Sequence, residues 1–463
     1  MAKGKFSLIV ALYNVENYVD AFFKSIRLQS YPFKDLDIIV VDDGSSDNSR
    51  NIVESWRSKY PAVIRVFAKS NGGPGSARNV GLNHARNPWI TFCDPDDILH
   101  PDYFSEVSKF LESDKNSLSE MLTSRLVEHA DGTIRTTNTH PLDWKFRHGN
   151  RLVNLDEDPN HVQLSGGTVF LKRSVIEEHG LRFDENIRPK FEDANLIGLY
   201  LSLVAKPIVG IIATARYFYR KRSNGTSLVQ GTWIDPRAYD EVPRLGYLGL
   251  LQGVQRNLGS VPAWAQSMVL YDLVWMYIAD KAMHSGTGTI TKELQHLIHA
   301  NLDQIMSLID VETIGDFAAV SQGWVFHNIL LHHYKTPLEP TPVVINWGDN
   351  SSRKTTKFSY MFSGGQPIED FRVDGRSVVP IAVKTIDHAL FGRVLVQERV
   401  FTLPMGRAVV YLNGERARLT AKWSVPQRGN FLAHSSLKSE LTARSGIRND
   451  QAKIDKEPMI ATA

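Results

Sequence analysis

The chain has 463 residues, more than one ordinary domain, so two or three domains are expected. Its 42% hydrophobic and 22% charged content allows full-sized cores, and the single cysteine, Cys93, excludes an internal disulfide and fits a reducing compartment. A net charge of +3 is too small to argue for a nucleic-acid partner, which leaves local clusters to carry any electrostatic function.

The first apolar run, Phe6–Leu12, is too short for a secretory signal and leads into Tyr13-Asn14 with no small-residue cleavage pattern. Val19, Phe22, Phe23 and Ile26 then have helical spacing, which predicts a helix over 15–28. A second apolar strand, 36–41, ends in Asp42-Asp43-Gly44-Ser45-Ser46-Asp47, with Ser46 or Asp47 expected to cap a helix over Ser49–Lys59. A third strand, 63–68, runs into a glycine-rich turn before a helix over 77–84. The fourth, 90–92, stops at Asp94-Pro95-Asp96-Asp97, three carboxylates in four residues. Near-continuous apolar strands alternating with helices predict an α/β fold, with a mostly parallel sheet covered on both faces.

From about 115 to 225 short strands (169–171, 208–212) interleave with helices over 174–179 and 194–203. From about 235 to 335 the pattern is helical, with Leu270, Leu273, Val274 and Tyr277 at three-to-four spacing. The most apolar helix, 268–279, is interrupted by Asp272 and falls short of the roughly 20 residues that span a bilayer. Pro337, Pro340 and Pro342 mark a linker. Beyond it the period changes to two, which predicts a small antiparallel β domain ending near Trp423, followed by a disordered tail. The expected organisation is an α/β domain over 1–230, a helical subdomain over 231–335, a β-sandwich-like domain over 340–425 and a tail over 426–463. The expected location is the cytoplasm, with at most peripheral association at the inner face of a membrane.

Four polar groups fall at the ends of the four N-terminal strands: Tyr13-Asn14, Asp42-Asp43, Asn71 with Gly72-Gly73-Pro74-Gly75, and Asp94-Pro95-Asp96-Asp97. In a parallel sheet these ends share one edge, where ligands collect. Each group taken singly also fits a structural turn, and the last one a solvated cap for the next helix through Asp97 or Asp102. Together they form a crevice in which Asp94 and Asp96, one residue apart, can aim at a single hard cation such as Mg²⁺ or Mn²⁺. Cys93, beside them on the strand, reads as a small apolar filler.

In order and spacing, Phe6 to Asn14, Ile39 to Asp47, Asn71 to Asn79 and Asp94 to Asp97 resemble the motifs of family 2 glycosyltransferases, which have the GT-A fold. The resemblance extends over residues 5–225. The Gly-Gly-Pro-Gly form of the third motif is similar to that of bacterial wall teichoic acid glycosyltransferases, which add N-acetylglucosamine to poly(ribitol phosphate). Under this resemblance Tyr13, Asn14 and the backbone near Ala11 would border the nucleobase, and Asp43 would accept a hydrogen bond from uracil N3–H. Asn71 and Arg78 would contact base, ribose or phosphates, with Gly72 and Gly73 allowing close approach. Asp94 would reach the ribose side and support the ion, Asp96 would bind the Mn²⁺ or Mg²⁺ that bridges the diphosphate, and Asp97 would be structural. Asp193 of Phe191-Glu192-Asp193 would be the general base, with Glu192 beside it to orient acceptor or donor sugar. Taken without the motifs, the two acids are also favourable first-turn charges of a helix. Gly166 and Gly167 would sit near the donor sugar, although they also fit a hairpin turn. Arg220, Arg222 and Ser227 would close over the diphosphate. The teichoic acid enzymes have a histidine in this last segment. This chain has none between His179 and His284, so water or a backbone group would complete the metal shell.

The expected activity is therefore inverting transfer of a sugar from a nucleotide-sugar, a UDP-sugar first, to a hydroxyl of a cell-surface glycan or glycopolymer. The alternative is a carbohydrate-binding or scaffold protein with an inactive transferase-like domain. The C-terminal regions are expected to recognise the acceptor, pack on the catalytic domain, or mediate homo-oligomerisation.

Overall fold

A computed structural model describes residues 5–114, 117–130, 136–221, 232–281, 290–335 and 342–421. It divides into two compact units, one built on Met1–Met268 and one on Val269–Phe431. Arg222, Ser227, most of the proline-rich linker and the C-terminal tail lie outside the described residues.

The first unit begins with β1 (Phe6–Leu12), α1 (Val19–Arg27), β2 (Leu36–Asp42), α2 (Ser49–Lys59), β3 (Ile64–Ala68), α3 (Pro74–His84) and β4 (Trp89–Cys93). β1 is buried almost throughout because both of its faces are covered. Phe6, Leu8, Val10 and Leu12 join Val19, Phe22, Phe23 and Ile26 of α1 in one core. Ile9, on the opposite face, meets α3 so closely that a Cβ on Gly81 would lie 2.3 Å from its Cγ2. β1 pairs in parallel with β2 (Leu12 beside Asp42) and with β4 (Val10 beside Cys93), and β2 with β3 (Asp42 beside Ala68). All four strands thus end on one edge.

Next come β5 (Ile98–Leu99), α4 (Tyr103–Ser113), β6 (Met121–Ala130), β7 (Thr136–Thr137), β8 (Arg151–Asn154) and β9 (Val169–Lys172). They are followed by α5 (Arg173–Glu178), α6 (Glu192–Leu201) and β10 (Ile208–Lys221). The sheet runs β3-β2-β1-β4-β9-β6-β10-β5, with β7 beside β6 and β8 beside β10. β9 lies antiparallel between β4 and β6, whereas β10 runs parallel to β6. The first four strands are therefore a parallel block and the remainder is mixed. β10 continues to Lys221, well beyond the expected 208–212, and carries Tyr217 and Arg220 to the site edge.

Several helix starts, and one cap, differ from the sequence expectation: α1 begins at Val19 rather than at 15. α3 begins at Pro74, because proline's missing N–H and fixed φ are tolerated in a first turn, and Gly73 (φ 87°) turns the chain into it. α6 begins at Glu192. At α2 the cap position is Asn48, not Ser46 or Asp47. Asp47 accepts instead from the N–H groups of Ser49 (2.9 Å) and Glu16 (3.0 Å), tying the loop after β1 to the helix.

In the second unit, helices at Lys292–Ser307, Val311–Asp316 and Trp324–Ile329 precede two sheets. One sheet has Ala382–Leu390, Arg393–Pro404, Thr355–Phe362, Val343–Asn350 and Arg418–Ala421 in that order, and the other is four-stranded and centred on Glu369–Val373 and Ala408–Leu412. Phe358, Tyr360, Phe371, Phe401, Leu403 and Val410 form their core. All pairings in these two sheets are antiparallel except Val343–Asn350 with Arg418–Ala421, which is parallel. No helix among the described residues is long and apolar enough to cross a membrane.

Candidate active site

The strand ends are cross-tied. Asp43 donates its N–H to the Leu12 carbonyl (2.9 Å), and Lys69 donates its N–H to the Asp42 carbonyl (2.9 Å). The buried Asp43 carboxylate accepts from Lys69 Nζ (2.8 Å), Gly72 N–H (3.0 Å) and Gly73 N–H (2.7 Å). Asn71 Nδ2 donates to the Asp43 carbonyl at 3.1 Å. Asp43 thus shapes the glycine turn, and a nucleobase contact has to share its oxygens with these donors. Arg188 braces the same turn from outside by donating to the Gly72 carbonyl. Tyr13 is 48% exposed at the edge, beside half-buried Ala11, and Asn14 (φ 49°) accepts the Ser46 N–H at 2.8 Å.

Arg78 of α3 is the hub. Its Nη2 donates to Asp94 Oδ1 (2.9 Å), and its Nη1 to Asp193 Oδ1 (2.7 Å) and Glu192 Oε1 (3.3 Å). Both Nη groups of Arg78, a residue expected to contact base, ribose or phosphates, donate here to three carboxylates. That fork joins the fourth strand end to the first turn of α6. The Arg78 side chain is only 6% exposed, with Glu192 and Asp193 at 16% and 19%. Asp193 Oδ2 accepts the Gly166 N–H at 2.8 Å, and a Cβ on Gly166 would lie 2.8 Å from that same oxygen, so only glycine allows this approach. Gly167 is buried beside the Tyr217 ring. Phe191, just before the acid pair, sits at φ 78°, a left-handed conformation that costs a non-glycine residue roughly 1–3 kcal/mol.

Asp97 is structural in the plain sense. It is buried and accepts from Tyr217 Oη (2.7 Å) and Arg220 N–H (2.7 Å). Tyr217 Oη also accepts the Asp94 N–H at 3.1 Å. Arg220 Nε donates to the Asp96 carbonyl at 2.6 Å, and its guanidinium lies over the Tyr18 ring. The acidic loop is therefore held by β10. Cys93 is a buried filler whose thiol is pushed well above its ordinary pKa by burial and by Asp94 and Asp97.

Burial, then Asp193, push the Glu192 carboxyl up to about 7, against the pull of Arg78. Burial also raises Asp193, opposed by Arg78, with Asp94 raising it and the Gly166 N–H lowering it. Asp97 is raised by burial, Asp96 and Asp94. Burial acts to lower Arg78, but Asp193, Asp94 and Glu192 overcome it and keep the guanidinium charged. The three carboxylates of this cluster thus outnumber the Arg78 guanidinium that pairs with them, an arrangement that disfavours an approaching diphosphate unless a cation joins it. Arg78 takes only Oδ1 of Asp94, whose side chain is 42% exposed, and Asp96 is half-buried two residues on. Among the described residues no set of three or more His, Cys, Asp or Glu could hold a metal. The donor set fits an ion that draws its other ligands from water and phosphate, as Mg²⁺ does.

Sequence reasoning did not anticipate Lys69, Arg188 or Tyr217. None stands in a motif, and each reaches the site only through the fold.

A parallel block ending in acids, with a second acid pair brought to it by α6, is a GT-A-like arrangement. The family model described as Glycosyl transferase family 2 matches residues 7–180. The minor teichoic acid biosynthesis protein GgaA of Bacillus subtilis is 31% identical over 328 residues, covering 70% of this chain and 71% of GgaA. GgaB of the same organism is 30% identical over 328 residues, and the match covers 71% of this chain but only 35% of GgaB. The crystal structure of residues 1–349 of S. aureus TarS in complex with UDP-GlcNAc is similar in fold, with a TM-score of 0.54 and 20% identity. That match covers 70% of this chain and 86% of the TarS fragment. The chain belongs to glycosyltransferase family 2.

Proposed function

We propose that this chain is a metal-dependent, inverting glycosyltransferase that moves a sugar from a UDP-sugar to a hydroxyl of a cell-surface glycopolymer. The observation that carries the reading is the Arg78 fork, which puts Asp94 of the strand-end loop and the Glu192-Asp193 pair in one cluster. A donor-binding loop and a proton acceptor have to be neighbours if an acceptor hydroxyl is to attack the anomeric carbon.

In this mechanism the acceptor oxygen forms the new bond to the anomeric carbon as the bond to the departing diphosphate breaks. Asp193 takes the hydroxyl proton. Arg78 and the Gly166 N–H hold its two oxygens in place, leaving a lone pair on each for that proton. Glu192, with its raised pKa, is largely protonated below about pH 7 and can donate a hydrogen bond to a sugar hydroxyl. Tyr13 would border the base, and the Asn71 to Gly73 turn would approach the nucleotide. Asp96 and Asp94 would hold Mn²⁺ or Mg²⁺, which when bound supplies Lewis-acid neutralisation of the leaving diphosphate. The teichoic acid assignments of GgaA and GgaB support a glycopolymer acceptor, and UDP-GlcNAc in the TarS crystal supports a UDP-sugar donor.

A donor panel scored for release of UDP, GDP or dTDP, with and without Mn²⁺, tests the reading. UDP release that requires Mn²⁺ and is lost in Asp96→Ala is expected. Release of GDP or dTDP alone would move the donor class. Calorimetry showing no UDP binding in Mn²⁺ would favour the scaffold alternative.

A further inference from the structure

We propose that Lys145 is a positioning residue for the Asp193 base, fixing through Gln163 the turn whose Gly166 amide holds that carboxylate. The inference rests on the reading of Asp193 as the base. Lys145 is 3% exposed, yet among the described residues no carboxylate pairs with it. Its Nζ donates to the Val162 carbonyl (3.1 Å) and to Gln163 Oε1 (2.6 Å). Gln163 is itself buried and saturated. Its Oε1 also accepts from Thr123 Oγ1 (2.8 Å), and its Nε2 donates to the Ser165 carbonyl (2.9 Å) and Thr168 Oγ1 (2.8 Å). Those last two bonds bracket Gly166, whose N–H reaches Asp193 Oδ2 at 2.8 Å.

A buried lysine without a counter-charge is unfavourable unless it loses its proton or fills a specific need. Burial brings this amine down to about 7, and its neutral form has two N–H groups for the two acceptors that face it. The side-chain polar atoms of Lys145, Gln163 and Thr168 all have partners in this relay, and such satisfied buried networks are rigid. The Gly166 amide donates to Asp193 Oδ2 at 2.8 Å, so any shift of the turn moves that donor relative to the carboxylate. Among the described residues Lys145 Nζ bonds to the Val162 carbonyl and Gln163, not to Asp193 or a strand-end motif, so it acts on the base through this turn.

Lys145→Met and Thr168→Val, checked for folding by thermal unfolding, would be assayed for kcat and donor KM beside Asp193→Asn. Misplacing a reacting group by about 1 Å can cost on the order of 100-fold in rate. Lys145→Met is expected to lower kcat about 10-fold with donor KM within twofold of wild type, and Thr168→Val to do the same more weakly. If Lys145→Met does not fold, Thr168→Val decides, since it frees the turn without touching the lysine. A folded Lys145→Met, or in its absence Thr168→Val, that keeps wild-type kcat or changes only donor KM overturns the inference. If Asp193→Asn transfers sugar at the wild-type rate, the base assignment fails and takes this inference with it. Loss in Asp193→Asn with both other variants unaffected overturns the inference alone.

Discussion

Arg78→Met tests how the carboxylate cluster is held. The substitution keeps most of the side-chain volume and removes the one ion-pair partner that Asp94, Glu192 and Asp193 share among the described residues. At 42% exposure the Asp94 contact is on the surface scale, about 0–1 kcal/mol. The Asp193 contact is buried, where removing one partner costs roughly 3–5 kcal/mol because the other charge is left uncompensated, and Glu192 adds to that only once it ionises above about pH 7. A loss of about 3 kcal/mol corresponds to a fall in Tm of roughly 6–12 °C for a unit of this size. Arg78→Lys keeps a charge but cannot span both sides of the fork, so it is expected to fall between the two proteins. Arg78 also opposes the upward shift of Asp193. Its removal should therefore move the acid limb of the kcat/KM profile to higher pH. Thermal unfolding and pH–rate profiles of the three proteins give the answer. Arg78→Met with wild-type Tm and an unmoved acid limb would refute the hub.

Three further outcomes follow from the same geometry. Tyr217→Phe leaves Asp97 with the Arg220 N–H alone and frees the Asp94 N–H, so urea unfolding should show a loss of about 1–3 kcal/mol; an unchanged midpoint would contradict the clamp. Glu192 has a folded-state pKa of about 7 against an ordinary 4.5, so the folded chain keeps a proton that the unfolded chain gives up between those values. Its stabilising contribution is full below about pH 4.5 and is lost as pH rises through 7, so Glu192→Gln should flatten the fall in stability across that window. Equal slopes for the two proteins would count against this. Gly81→Ala gains about 1 kcal/mol of helix propensity but drives a methyl to 2.3 Å from Ile9 Cγ2, which costs about 1–3 kcal/mol. A net loss in the urea midpoint, relieved by Ile9→Ala, is expected, and a stabilised Gly81→Ala would show that α3 can lift from the strand.

The strands of the parallel block were legible because burial on both faces leaves continuous apolar runs such as Phe6–Leu12 and Leu36–Asp42. Their polar ends were legible for the same reason, since the pattern stops where the sheet edge begins. Helix starts were read less well, because Pro74 looks like a turn residue and serves as a first-turn residue. The role of Arg78 was hidden because its carboxylate partners are 16, 114 and 115 residues away. Tyr217 was invisible for a related reason. The bulged pairing of β10 with β6 carries the strand past Ile212, and no local pattern announces that extension. Gly166 was placed near the donor sugar from its motif, while its contact with Asp193 depends on the packing of α6 against the 166–168 turn.

The central claim is that Asp193 is the base of sugar transfer, and Asp193→Asn measures it most directly. Transfer from UDP-sugar to acceptor would be followed at saturating donor with Mn²⁺, and UDP affinity by calorimetry on the same protein. Loss of a positioned general base is expected to lower kcat by about 10²–10⁴ with UDP affinity within twofold of wild type. Wild-type kcat in Asp193→Asn with UDP still bound would contradict the account.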